Sequence, residues 1–275
     1  MLMFDQVDVF TDELLLGNPV AVVHDADALP DDRMAAFARW TNLSETTFLL
    51  APSDPDADYR LRIFTPAREL PFAGHPTLGS ARTWLERGGT PRRSGELVQQ
   101  CGAGLVRVRR DGTRLAFAAP PLVRSGPVTA GDLAHVVDAL GITPDDVVDA
   151  QWVDNGPGWL AVRLTDAGRA LALEPDLARM RPFKVGVVGA HPSGAGVDFE
   201  VRAFAAETGR EDPVTGSLNA GLAQWLIGTG DAPPTYVAAQ GTRLGRRGRV
   251  HVRQVGDDVW VGGQTVVGIS GTVAL

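Results

Sequence analysis

The sequence predicts an α+β protein built from two similar halves, and three observations carry that prediction. The first is an internal repeat: residues 61–87 read LRIFTPARELPFAGHPTLGSARTWLER, and residues 201–230 read VRAFAAETGREDPVTGSLNAGLAQWLIGTG. Arg62 and Phe64 open one copy as Arg202 and Phe204 open the other. Glu69, Pro71 and Gly74 match Glu211, Pro213 and Gly216 at a single offset of 142 residues. One repeat of about half the chain means two related halves, because a solenoid needs several short repeats. The second observation is that each copy changes period, from a short strand pattern to apolar residues at helical spacing. The third is size: 275 residues, 44% of them hydrophobic, suffice for one large core or two modest ones.

In chain order, residues 7–11 and 20–23 read as strands on either side of a loop through Gly17, Asn18 and Pro19. The second is continuously apolar and so buried on both faces. A helix starts at Asp31, acidic in its first turn, with Met34, Phe37 and Ala38 inward. Residues 42–45 end it, and a strand resumes over 46–50.

In the first repeat copy, residues 62–64 are strand-like, and Pro71, Gly74 and Pro76 break the chain into a loop. A helix then begins near Pro76, whose fixed φ suits a first helical position. Leu78, Ala81 and Leu85 form its apolar face, and Gly88-Gly89 closes it. His75 therefore sits at a helix start, where it either caps the corner or helps to hold an anion. Residues 92–100 read as polar. Residues 105–109 and 114–118 form a hairpin around Asp111-Gly112.

The domain boundary is placed in the proline-rich linker after Pro120, giving halves of 1–122 and 123–275. The second half starts with a helix over 131–140, read as the counterpart of the Asp31 helix. Strands follow at 148–153 and 159–164, and residues 189–196 read as a loose loop. In the second repeat copy Leu218, Leu222, Trp225 and Leu226 form one apolar helix face. Ser217 is read as that helix's N-cap, a role worth about 1 kcal/mol. Strands at 237–240, 250–253 and 259–262 finish the second sheet. Two such halves would turn two helix starts toward one cleft, a site for a small carboxylate.

Several function classes are excluded. A net charge of −7 argues against a general nucleic-acid or anionic-membrane binder. One cysteine allows no intrachain disulfide and no CxxC metal site. The five histidines show no ligand-pair spacing, so no metal is expected. Residues 156–161 fit a G-x-G-x-x-A pattern but precede a strand, whereas the dinucleotide fingerprint follows one. Arg246, Arg247 and Arg249 read as a solvated hairpin loop. No signal segment and no apolar run of membrane-spanning length is seen, as expected of a cytoplasmic protein.

Glu45 stands where a loop enters an apolar strand: either a solvated strand end, or a carboxyl whose partial burial favours the neutral acid. Asp212 reads as a turn aspartate ahead of a proline.

The stretches DVFTDELLLGNPVAVV, NLSETTFLL, RIFTPARELPFAGHPTLGSA and EDPVTGSLNAGLA, in this order, resemble the phenazine-biosynthesis PhzF-like family of the diaminopimelate epimerase-like superfamily. The resemblance runs from about Val7 to the C-terminal VWVGGQTVVGISGTVAL. It implies two pseudo-symmetric epimerase-like domains, each a β-sheet or barrel wrapped around a central helix. It implies Glu45, His75 and Asp212 as catalytic residues, Glu45 being the acid/base carboxylate of an intact N-L-S-E-T motif. Asn18, Ser44, Gly74, Gly216 and Ser217 would bind substrate. Epimerases of the superfamily use two cysteine thiols, but Cys101 lies in neither motif, so thiol chemistry is not expected here. The resemblance thus implies a homodimeric, cofactor-independent isomerase. It would act by carboxylate-assisted proton transfer on a small unsaturated amino-acid-like carboxylate of the dihydro-hydroxyanthranilate type, in secondary metabolism. The alternatives are a racemase or epimerase using Glu45 and Asp212 as two bases, and a catalytically silent carboxylate-binding protein.

Overall fold

The computed structural model describes all residues, Met1–Leu275. The chain divides into two compact units, Met1–Ala118 with Gly262–Leu275, and Ala119–Val261.

The first unit opens with β1 (Leu2–Val9) and β2 (Asn18–Val23), an antiparallel pair. Helix α1 (Asp31–Thr41) buries Met34, Phe37 and Ala38 and ends on Asn42, whose φ of 54° stops the helix. Strand β3 (Glu45–Leu50) then lies parallel to β2 and antiparallel to β4 (Tyr59–Phe64). The short β5 (Glu69–Leu70) folds back on β4 and delivers the chain to α2 (Gly74–Glu86). Next come β6 (Glu96–Cys101), parallel to β4, and the hairpin of β7 (Gly104–Asp111) and β8 (Arg114–Ala118). Helix α2 is the axis of this unit. It packs on β1, β2, β3, β4 and β8, and all its residues from Gly74 to Ala81 are buried. Gly79 permits this approach, since a Cβ there would stand 2.5 Å from a Val20 methyl.

The second unit repeats the plan. After β9 (Arg124–Pro127) and α3 (Ala130–Leu140), β10 (Val147–Asp154) and β11 (Trp159–Leu164) form the antiparallel pair. Helix α4 (Ala167–Ala172) leads to β12 (Lys184–Ala190), parallel to β11, and then to antiparallel β13 (Phe199–Ala205). The short β14 (Arg210–Asp212) folds back on β13 and delivers the chain to α5 (Gly216–Gly228). Strands β15 (Thr235–Gln240), β16 (Gly248–Val255) and β17 (Asp258–Gly263) follow. Strand β15 lies parallel to β13 as β6 does to β4. Helix α5 is buried on nearly every side, not on the single face expected, as its apolar character all round requires. A Cβ on Gly221 would meet the Val153 carbonyl oxygen at 2.2 Å, so α5 lies as close to its sheet as α2 does.

The repeat is also written in side chains. Arg62 donates through Nε and Nη2 to the two carboxylate oxygens of Glu69, at 2.8 and 2.7 Å. Arg202 does the same to Glu211, at 2.9 and 2.8 Å. Each guanidinium also lies over the Phe two residues on, at 5.1 and 4.9 Å. Such bidentate pairs tie β5 to β4 and β14 to β13, fixing the segment that feeds each central helix.

Three expectations are corrected. Helix α3 exists where expected, but it precedes β10; the element placed as α1 is, between the second and third strands, is α4. The loop expected over residues 189–196 begins inside β12, where Gly186 and Gly189 interrupt the valines of the strand. Both are there because something presses on them: Leu218 at Gly186 and the Asp166 carbonyl at Gly189. Finally, the second unit does not run to the C-terminus. Strand β18 (Thr265–Val273) returns to pair with β1 along its whole length. There Ser270 donates to Asp5 (2.5 Å), which is 2% exposed and also holds Arg87 and His24.

Candidate active site

In the first unit the structure gathers Asn18, Glu45, Gly74 and His75 around the start of α2. Asn18 and Glu45 are the first residues of β2 and β3, which the parallel pairing brings side by side. Helix α2 begins two residues before the expected Pro76, so His75 is its second residue, with Ala73 as an N-cap that has no side-chain hydrogen bond to give. The imidazole has a polar neighbour at each nitrogen, a hydrogen bond to Asn18 at one and the Glu45 carboxyl at the other. Nδ1 lies 3.3 Å from Asn18 Nδ2, and Nε2 lies 3.3 Å from Glu45 Oε2.

This arrangement fixes a protonation state. Burial penalises the imidazolium and pushes the His75 pKa down to about 3, so the ring is neutral at physiological pH. With the Asn18 amide oriented so that its NH2 meets Nδ1, Nδ1 accepts and the ring proton falls on Nε2, the nitrogen on the side of Glu45. Glu45 keeps 15% of its side chain exposed against 5% for His75, so the carboxyl is the more accessible of the pair. Ser44, expected to bind substrate, lies exposed in the turn before β3.

In the second unit Asp212, Gly216 and Ser217 gather around the start of α5. Ser217 is not the N-cap expected of it. The helix begins at Gly216 with Thr215 as N-cap, so Ser217 is its second residue, as His75 is in α2. Its hydroxyl accepts from Trp159 Nε1 at 3.0 Å, and its carbonyl from Asn155 Nδ2 at 2.9 Å. Thr215 does not cap the helix amides with its side chain; its hydroxyl donates to Asp212 Oδ2 at 2.5 Å. Gln240, at the end of β15, donates to the Asp212 carbonyl and to Thr215 Oγ1. Sequence reasoning passed over Thr215, Gln240, Trp159 and Asn155. Thr215 alone had a signal, its place inside the EDPVTGS stretch.

The halves differ where proton chemistry would occur. The pairings Thr46 with Phe64 and Val185 with Phe204 align the sheets, and Glu45 then falls on Lys184. The 142-residue offset places His75 on Ser217 and Leu70 on Asp212. Lys184 forms an ion pair with Glu207 at 2.8 Å. The carboxyl–imidazole pair therefore belongs to the first half only. Cys101 ends β6, and burial raises its thiol pKa, which keeps it protonated and a weak nucleophile.

Residues 7–271 match the model of the phenazine biosynthesis-like proteins, PhzC-PhzF. The chain is a member of that family. It is 38% identical over 293 aligned positions to the protein named antisense-enhancing sequence 1 of Schizosaccharomyces pombe, covering 98% of this chain and 97% of that one. It is 35% identical to the trans-2,3-dihydro-3-hydroxyanthranilate isomerase of Pseudomonas aeruginosa, covering 91% and 89%. Among solved structures, a PhzF-family phenazine biosynthesis protein of Enterococcus faecalis matches over the full length of both chains, with a TM-score of 0.81 and 26% identity. The family's fold is the expected pair of diaminopimelate epimerase-like domains, and the chain is an enzyme of the isomerase or epimerase type. No helix is long and apolar enough to cross a membrane.

Proposed function

We propose that the enzyme is a cofactor-independent isomerase of a small unsaturated amino-acid-like carboxylate, of the trans-2,3-dihydro-3-hydroxyanthranilate type. The observation that carries this reading is the Glu45–His75 pair, a carboxyl faced by a neutral imidazole. The 35% identity to a dihydro-hydroxyanthranilate isomerase supports the substrate class.

The chemistry is a proton relocation with no net redox change. Glu45 as the acid delivers its proton to one carbon of the diene, and the resulting carboxylate removes a proton from another. One C–H bond forms and one breaks, the double bonds shift between them, and the carboxyl is regenerated. The His75 Nε2–H stabilises the carboxylate between these steps and, being neutral, does not compete as proton donor. Asp212 and Ser217 hold polar substituents of the substrate.

The test is Glu45→Gln, assayed with trans-2,3-dihydro-3-hydroxyanthranilate in ordinary and heavy water. The wild type should give a product of changed constitution carrying solvent deuterium at the newly protonated carbon. The variant should lose turnover by about 10² to 10⁴ while still binding substrate. A variant of undiminished activity would remove Glu45 from the mechanism, and a product of unchanged constitution but inverted configuration would make the enzyme an epimerase.

A further inference from the structure

Asp212 sits at the end of a hydrogen-bond chain whose direction is fixed by its far end. Gln240 is fully buried and uses every hydrogen-bonding position it has. Its Oε1 accepts from the Thr215 amide (3.0 Å) and from Asn219 Nδ2 (2.9 Å). Its Nε2 donates to the Asp212 carbonyl (3.1 Å) and to Thr215 Oγ1 (3.0 Å). Turning the amide over would set an oxygen against a carbonyl and an NH2 against an N–H, so the orientation is locked. The Thr215 hydroxyl, receiving a proton from Gln240, must give its own elsewhere, and Asp212 Oδ2 lies 2.5 Å away.

The other half of the chain serves as an internal control. Gln99 lies inside β6, the strand that matches β15, and its Nε2 donates to Thr77 Oγ1 of α2 at 3.0 Å. Thr77 is the 142-residue counterpart of Asn219. Tying the central helix to this strand through a buried glutamine is therefore common to both halves and belongs to the fold. At the positions of Thr215 and Asp212 the first half carries Ala73 and Leu70, and α2 starts on Ala73 without any hydroxyl. The hydroxyl and the carboxylate occur together, and the fold requires neither.

We propose that Thr215 is a positioning residue whose hydroxyl aims the Asp212 carboxylate at the substrate, with Gln240 setting the direction of that hydroxyl. The inference rests on the assignment of Asp212 to substrate binding made above. The experiment compares wild type, Thr215→Val, Thr215→Ser, Asp212→Asn and the double variant Asp212→Asn/Thr215→Val. Each is assayed for kcat and KM with trans-2,3-dihydro-3-hydroxyanthranilate, and the ligand-free proteins are examined by NMR couplings that report Asp212 χ1. Thr215→Val should lower kcat/KM by about 10- to 100-fold, the range of a lost hydrogen bond to a charged group, and Thr215→Ser should restore most of it. In the Asp212→Asn background Thr215→Val should cost almost nothing more, because both changes cut one chain. Asp212 should hold one rotamer in wild type and Thr215→Ser, and average between rotamers in Thr215→Val. An equal penalty in both backgrounds, or an Asp212 already averaging in wild type, overturns the inference. A damaging Asp212→Asn with a harmless Thr215→Val overturns it alone. A harmless Asp212→Asn overturns the role of Asp212 and, with it, the need to aim it.

Discussion

The tautomer of His75 can be reversed by exchanging one atom. Asn18→Asp preserves the shape of a fully buried side chain but replaces the NH2 that donates to Nδ1 with a carboxylate oxygen that accepts. A neutral imidazole then moves its proton to Nδ1, which leaves the Nε2 lone pair facing Glu45 Oε2 across 3.3 Å. Two acceptors at that distance repel, so the N–H that faces the Glu45 carboxyl is exchanged for a lone pair. An N–H···carboxylate hydrogen bond made by this pair during turnover contributes about 1.5–3 kcal/mol, which corresponds to roughly 10- to 150-fold in kcat/KM. Flanked by two carboxylates, the ring can instead take a second proton, which would move its titration up out of the acid range where burial alone puts it. The assay pairs turnover with ¹⁵N spectra of the imidazole at neutral pH. Wild type should show protonated Nε2 and bare Nδ1; Asn18→Asp should show protonated Nδ1. A wild-type spectrum of the Nδ1–H form, or unchanged kcat/KM in Asn18→Asp, would refute the reasoning.

Two further outcomes follow from buried groups. Cys101→Ser should leave turnover within about twofold, since a thiol kept neutral by burial takes no part in the chemistry; loss of activity on alkylating Cys101 in a folded protein would contradict this. Stability should fall on mild acidification. Burial lowers the pKa of both His75 and His24, so between their folded values and about 6.5 the unfolded chain binds more protons than the folded one. The urea midpoint should therefore be level above about pH 7 and decline below about pH 6.5. Asp5 acts lower down: burial would raise its pKa, but hydrogen bonds from Arg87, Ser270 and His24 outweigh this and hold it below normal, so its contribution disappears only as pH falls beneath about 4. His75→Gln should flatten the first decline, and equal midpoints at pH 7.5 and 5 would show that the buried histidines are not the cause.

By itself the sequence determined the duplication, the family, and the residue types at the site, because these are written in local order. The proline–glycine loop and the apolar helix recur at one offset in both copies and Arg-x-Phe two residues off it, and each is a matter of nearest-neighbour geometry. The tertiary structure decided what depends on residues far apart in the chain. The glycines of β12 look like loop residues until Leu218 and the Asp166 carbonyl are seen to lie against them. Strand β18 joins the first unit because β1 offers it a full register of partners, a pairing across almost the whole chain that no local pattern announces. Ser217 looked like a cap because hydroxyls before helices usually cap; only the fold shows Thr215 in that position, with its hydroxyl turned to Asp212. The protonation of His75 is the clearest case. A histidine in a Gly-His-Pro turn carries no tautomer in its sequence; burial removes its charge, and Asn18, 57 residues away, places its remaining proton on the nitrogen that faces Glu45.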